Sequence, residues 1–210
     1  KGERLWHASQ VGLRMIDDEI DALRGNAPGA LTIAVLTYFS SRWLSPRLME
    51  FIERNPGIAL RIEPVNGVSD LARIDADIAI LWGNGASFDM ESEPLMRCPA
   101  FPTASPALAA KIKKTGPRKA LAELPLLSDS SGDSGWRDWF DRMGWPFPGK
   151  TNTLVLADSN SRVQAVIDGQ GVALWDALIT PEIERGLLQP ISDIGLDGYG
   201  YHLLFPNGRD

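Results

Sequence analysis

The chain has 210 residues, 44% of them hydrophobic and 23% charged, which is the composition of a folded globular protein with room for one large domain or two small ones. A net charge of −6 with no basic stripe argues against direct gripping of a phosphate backbone by these residues. A single cysteine, Cys98, rules out an intrachain disulfide, and no apolar run approaches the roughly 18 residues of a membrane span. The chain opens KGERLWHASQ, without the apolar core or cleavage pattern of a signal peptide, so a cytoplasmic protein is expected.

Residues 1–24 are expected to be helical. Leu5, Ala8, Val11, Met15, Ile16, Ile20 and Leu23 recur at helical spacing, and Gly25-Asn26 supplies the stop. After Pro28-Gly29, an apolar β-type run (Leu31–Leu36) meets the turn Thr37-Tyr38-Phe39-Ser40-Ser41. An amphipathic helix should follow with Leu44, Leu48, Phe51 and Ile52 on one face, ended by Asn55-Pro56-Gly57. Alternating Ile58, Leu60 and Ile62 predict a second strand, and Asp77–Trp82 a third. These are two βα units, and in such sheets ligands bind at the carboxyl ends of the strands, here at Ser40 and Ser41.

Glu93–Pro102 has an extended pattern. Ser105-Pro106 should open a serine-capped helix, PRKALAELPLL a short helix running into a strand, and Trp136–Met143 an aromatic helix. A strand is expected at Thr153–Leu156, a helix from Ser161 to Asp168 capped by the loop Ala157-Asp158-Ser159-Asn160, and a glycine turn with a short strand and helix in DGQGVALWDALI. The two glycines of that turn permit positive φ and close backbone approach. Tyr199–Phe205 reads as the last strand.

Catalytic motifs are poorly supported. Residues 132–135 spell GDSG, but the only histidines, His7 and His202, lie in the terminal helix and the last strand, and the βα pattern is not that of paired β-barrels. Ser134 therefore reads as a loop residue. Cys98 has no partner thiol and reads as a small core residue. Two distant histidines and one cysteine make no metal site, and Asp75 and Asp77 read as solvent-side residues at the start of strand three. DGQGV lacks the nucleotide-binding fingerprint. No catalytic residue, metal or cofactor is expected.

The stretch SRWLSPRLMEFIERNPGIALRI, followed by DADIAI, by the spacing SPALA…P…L…PLL and by DSN at 158–160, resembles the effector-binding domain of LysR-type transcriptional regulators, most closely the glycine-cleavage-activator-like branch. The resemblance covers about nine tenths of the chain, roughly Gly29 to Pro206. It implies an α/β fold of two Rossmann-like lobes resembling type II periplasmic binding proteins, joined by two crossover strands. Residues 1–26 would be the end of a dimerising linker helix, 27–97 with about 189–210 lobe I, and about 98–188 lobe II. A winged helix-turn-helix would precede Lys1, outside this chain.

A small effector, anionic or otherwise, would then sit in the inter-lobe cleft against Thr37, Ser40, Ser41, Asn66, Trp82, Asp158, Ser159 and Asn160. Several of these residues, and the neighbouring tryptophans, have a plainer reading. Ser40 or Ser41 can simply cap a helix, as can Asp158 or Ser159, and Trp43, Trp82, Trp136 and Trp175 can be core. Tyr38, larger than the residue relatives often carry there, bears on the size of the pocket. The implied partners are a small molecule, further copies of the chain as a homodimer or tetramer, and DNA only through the preceding domain, with no membrane. An exported solute-binding protein and an enzyme on the same scaffold remain as alternatives.

Overall fold

Strand β1 (Ala30–Leu36) forms where the sequence is apolar but for Thr32, because both faces of the strand are covered. Ile33, Ala34 and Val35 are fully buried, as are Ile78, Ala79 and Ile80 of the neighbouring strand β3 (Ile78–Gly83). The computed structural model describes residue 16 and residues 30–86, 88–129, 134–149 and 153–206. The expected helix over 1–24 lies outside these residues except for Ile16, which is helical and buried.

By its contacts the chain divides into two units. The first, within the described residues, holds Ile16, residues 30–36, Trp43–Arg97 and 199–206. Its five-stranded sheet has the order β2-β1-β3-β10-β4, with β2 (Ala59–Val65), β4 (Ser92–Arg97) and β10 (Gly200–Leu204). β1 is parallel to β2 and β3, and β10 returns antiparallel to β3 and β4. Thr32 and Asp77 tie β1 to the start of β3: the Thr32 N–H donates to Asp77 Oδ2 at 2.7 Å, and the Asp77 N–H to the Thr32 carbonyl at 3.0 Å. Ala34, Val65, Leu71, Ala76, Ala79, Leu81 and Leu204 form one packed cluster. β2 is an edge strand with alternating half-exposed residues, and it tolerates Pro64 for that reason.

The expected amphipathic helix is replaced by a longer composite. Thr37–Phe39 is one α turn, Ser40–Leu44 is π-helical, Ser45–Arg47 is a 3-10 turn, and α1 (Leu48–Arg54) completes the run. Leu44 and Phe51 are buried as the spacing predicts. Ile52 is not: it is 45% exposed and Met49 66% exposed, because the π and 3-10 turns change the angular step and the apolar face drifts. α2 (Val68–Leu71) connects β2 to β3.

The second unit holds Thr37–Arg42 and Cys98–Gly198. Residues 37–42 and 189–198 thus group with it, where the sequence reading put them in lobe I. One reason is β9 (Gln189–Pro190), which pairs with β5 (Phe101–Ala104), and another is the Leu196 N–H, which donates to the Ala100 carbonyl at 2.9 Å. β5 also pairs antiparallel with β8 (Ala173–Trp175), giving the order β8-β5-β9. A parallel pair, β6 (Leu126–Ser128) and β7 (Thr153–Val155), is bridged at Leu126 to Val172. The extended stretch 93–102 is two strands rather than one, β4 and β5, and Cys98 lies buried between them.

Four longer helices complete this unit: α3 (Pro106–Thr115), α4 (Pro117–Glu123), α5 (Ser134–Arg142) and α6 (Ser159–Ile167). Ser105 stands at the cap position of α3, but its side chain makes no capping hydrogen bond, contrary to the expected serine cap; its carbonyl accepts from Ala109 N–H at 2.8 Å. Gly171 of the DGQGV turn has a strict packing role: a Cβ there would stand 2.3 Å from Leu127 Cδ1 and 2.4 Å from the Pro125 carbonyl oxygen. On α5, Trp136, Trp139 and Phe140 are buried edge to face, and the two indole N–H groups donate to the carbonyls of Leu127 and Ile194. Residues 130–133 of the GDSG loop lie outside the described residues, and Ser134 opens α5.

Candidate functional site

The site grows from the place where β1 ends. The helical run begins at Thr37, earlier than the serines, so Ser40 and Ser41 lie inside it and not at a free helix start. Neither the simple N-cap nor the anion site at a helix N-terminus, both expected of these serines, is therefore formed by them. The Ser41 hydroxyl donates back to the Tyr38 carbonyl at 3.1 Å and reaches Asn160 Oδ1 at 3.4 Å. Ser40 is half-buried within the π-helical turn.

Within the second unit, residues 37–42 meet the start of α6. The Thr37 hydroxyl donates to Asp158 Oδ2 at 2.7 Å. The other Asp158 oxygen caps α6, accepting from the Ser161 N–H and hydroxyl at 2.7 Å each. The capping reading of Asp158 is thus realised, while its second oxygen holds Thr37. Burial alone would raise its pKa. The Ser161 and Thr37 hydrogen bonds and the Arg162 charge outweigh it, holding the carboxyl below its usual value. Ser159 is buried and its hydroxyl accepts from Arg162 Nη2 at 3.3 Å.

Arg42, which the sequence did not single out, is the centre of the cluster. Its Nη1 donates to Asn160 Oδ1 at 2.6 Å, its Nη2 pairs with Glu182 Oε1 at 2.7 Å, and its guanidinium carbon lies 4.5 Å from the centre of the Tyr38 ring. The ion pair is mostly buried, with the two side chains 19% and 14% exposed. It is monodentate. Arg42 Nε and Glu182 Oε2 are both buried and have no hydrogen-bond partner among the described residues, and neither has Trp175 Nε1. Buried donors and acceptors are almost always satisfied, so such atoms mark where a polar ligand or an ordered water belongs.

Tyr38 fills the space beneath. Its ring packs on Trp175 at 4.9 Å and its hydroxyl donates to Asp176 Oδ1 at 3.3 Å. Burial pushes the phenol well above its ordinary pKa, the Asp176 carboxylate adds to this, and Arg42 opposes it. Asp176 also accepts from the Leu178 N–H at 2.9 Å. Arg162 lies 5.0 Å from the Trp175 ring and donates to the carbonyls of Leu156 and Ala157. Burial, with the Asp176 carboxylate, likewise raises the Cys98 pKa far above the usual range, so the thiol stays protonated.

The structure thus brings Thr37, Ser41, Asp158, Ser159 and Asn160 into one neighbourhood and adds Tyr38, Arg42, Arg162, Trp175, Asp176 and Glu182. Of the other three candidates, Ser40 lies in the π-helical turn of the second unit, and Asn66 and Trp82 belong to the first unit. Asn66 is exposed and its N–H donates to Asp70 Oδ2 at 2.7 Å. Trp82 is half-buried with its ring 4.6 Å from that of Tyr199. Trp43 and Trp136 are core residues. Asp176 carried one readable signal, an acidic residue just ahead of an apolar helical turn. Arg42 and Glu182 carried none, since 140 residues separate them. Among the described residues no group of histidine, cysteine or carboxylate side chains could hold a metal, and no helix is long and apolar enough to cross a membrane.

Comparison with known proteins gives the arrangement a family. The profile of the LysR substrate binding domain matches residues 24–210. The chain is 33% identical over 181 residues to the glycine cleavage system transcriptional activator of Escherichia coli, covering 85% of this chain and 59% of that protein. It is 30% identical to the AhcY transcriptional activator HvrB of Rhodobacter capsulatus, covering 100% of this chain and 71% of the relative. Among solved structures, it is similar to the effector domain of the transcriptional regulator AmpR of Pseudomonas aeruginosa, with a TM-score of 0.73, 28% identity and 87% of each chain covered. The chain therefore spans about three fifths of the length of the glycine cleavage activators it matches, and it belongs to the LysR substrate binding domain family, the effector-binding part of LysR-type transcriptional regulators.

Proposed function

We propose that this domain senses a small polar effector, held by the Arg42–Glu182–Asn160 cluster, and that the effector alters how a DNA-binding domain outside this chain engages its operator. The observation that carries the reading is the monodentate, mostly buried Arg42–Glu182 pair with an unmet donor and an unmet acceptor. A ligand with an anionic group for Arg42 Nε and a cationic or hydrogen-bond-donating group for Glu182 Oε2 would satisfy both. Asp158, ionised and already holding three donors, disfavours a purely anionic ligand, so an amino-acid-like zwitterion fits better than a simple anion. The reading has no chemical step. The effector acts only through its different affinities for two arrangements of the regulator.

Further copies of the chain are the second proposed partner, as a homodimer or tetramer in the cytoplasm. The supporting observation is apolar surface on exposed elements: Met49 and Ile52 on α1 of the first unit, with β2 as an open sheet edge, and Leu154 and Val155 on β7 of the second. Thermal-shift screening of amino acids and small carboxylates against the wild type, Thr37→Val and Asn160→Ala tests the effector reading. A stabilising compound whose effect shrinks in both variants supports it. A compound that stabilises all three proteins equally binds elsewhere and counts against it.

A further inference from the structure

The second unit carries a concavity whose lining includes no residue of the Arg42 cluster. It is an open groove of about 650 Å³ between the α3–α4 junction, the end of α5 and residues 191–192. Its shape follows from one turn. Gly144 ends α5 with φ +65°, and the Trp145 N–H then bonds back to the Phe140 carbonyl at 2.9 Å while the Gly144 N–H bonds to Asp141. This is the Schellman arrangement, which folds the residue after the glycine against the last helical turn. Trp145 is thereby laid edge-on to Trp139 at 5.7 Å and Phe140 at 6.4 Å, and one wall of the groove becomes aromatic.

The opposite side is Pro117, Arg118, Lys119 and Leu121 of α4. Arg118 and Lys119 are the only charged residues in the lining, which contains no carboxylate, although the chain as a whole carries a net charge of −6. Both are exposed, and neither has an ion-pair partner among the described residues. The volume lies in the range of small-molecule sites, which are mostly apolar with a few polar groups that fix orientation.

We infer that this groove is a second ligand site, taking a flat apolar carboxylate whose ring lies along Trp145 and whose charge meets Arg118 and Lys119. Opposite charge selects the anion and the aromatic wall selects the ring. The site is independent of the Arg42 cluster and of the effector reading placed there.

The test is titration of the full chain with 2-naphthoate and with its neutral counterpart 2-naphthamide, read by calorimetry and by the indole N–H resonances of uniformly 15N-labelled protein. The expected result is that the Trp145 resonance moves and that the carboxylate binds about tenfold or more tighter than the amide. The exposed double variant R118E/K119E keeps the wild-type spectrum and loses that preference, and Ala122→Trp, which fills the groove from α4, abolishes binding. No binding of 2-naphthoate at millimolar concentration overturns the inference. So does equal binding of the amide, affinity unchanged in R118E/K119E, or shifts confined to residues of the Arg42 cluster.

Discussion

The two units use similar lengths of sequence differently. The first is organised by a five-stranded sheet whose central strands are apolar on both faces, and polar groups there mostly pin strand ends, as Asp77 does at Thr32. Among the described residues the second has a three-stranded sheet and a two-stranded pair, and much of its order comes from side chains: a mostly buried ion pair, stacked rings, and carboxylates that each serve two partners. Structure held by backbone ladders tolerates side-chain change away from its core. Structure held by polar side chains does not, because a buried partner left behind keeps its desolvation cost.

That contrast can be broken at several points. The largest expected effect is in the first unit's core, where Ile80→Ala should cost about 2–5 kcal/mol in chemical denaturation. Next comes Glu182→Ala in the second unit, which strands the Arg42 guanidinium and should cost about 1–3 kcal/mol. Glu182→Gln keeps an acceptor and should recover part of it. If Glu182→Ala proves neutral, the polar cluster does not organise the second unit, and the contrast fails. Gly171→Ala belongs in the same range, about 1–3 kcal/mol, since the added methyl meets the Pro125 carbonyl.

Asp158→Ala should cost about 1 kcal/mol as a lost helix cap. It also supplies a pH test. The Asp158 carboxyl is held below its ordinary value in the folded state, so its contribution is complete above the unfolded pKa, about 4. It is lost as pH falls through the folded value. Melting curves between pH 6 and the acid limb should therefore fall less steeply for Asp158→Asn than for the wild type. The smallest effect on folding is expected for Ile52→Ser, within about 0.5 kcal/mol, because the side chain is exposed. If α1 is an interface between copies, sedimentation should nevertheless show weaker self-association.

Legibility in the sequence follows the same division. β1 and β3 were readable because burial on both faces leaves a run that is apolar but for Thr32, β10 because Tyr201, Leu203 and Leu204 flank His202, and α3, α4 and α5 because proline, glycine and aromatic spacing mark them. The composite helix after β1 was not, since nothing in Ser40–Arg47 announces a π turn followed by a 3-10 turn, and Ile52 was assigned to the wrong face as a result. Within the site, Thr37, Asp158 and Asn160 stood out because short polar residues at the ends of apolar segments have few uses. Arg42 and Glu182 did not, because an ion pair between residues so far apart leaves no spacing to detect. Tyr38 was noticed for its size, and its role as the ring on which Arg42 and Trp175 pack is tertiary information.

The central claim is that an effector completes the Arg42–Glu182 pair. The direct measurement is the Arg42 Nε–H resonance in 15N-labelled protein, titrated with the compound that most raises the melting temperature in the screen. The account predicts that this resonance shifts, saturates with the same dissociation constant as the thermal effect, and becomes protected from solvent exchange. A compound that saturates the protein while the Arg42 Nε–H stays unmoved and exchanging would contradict it.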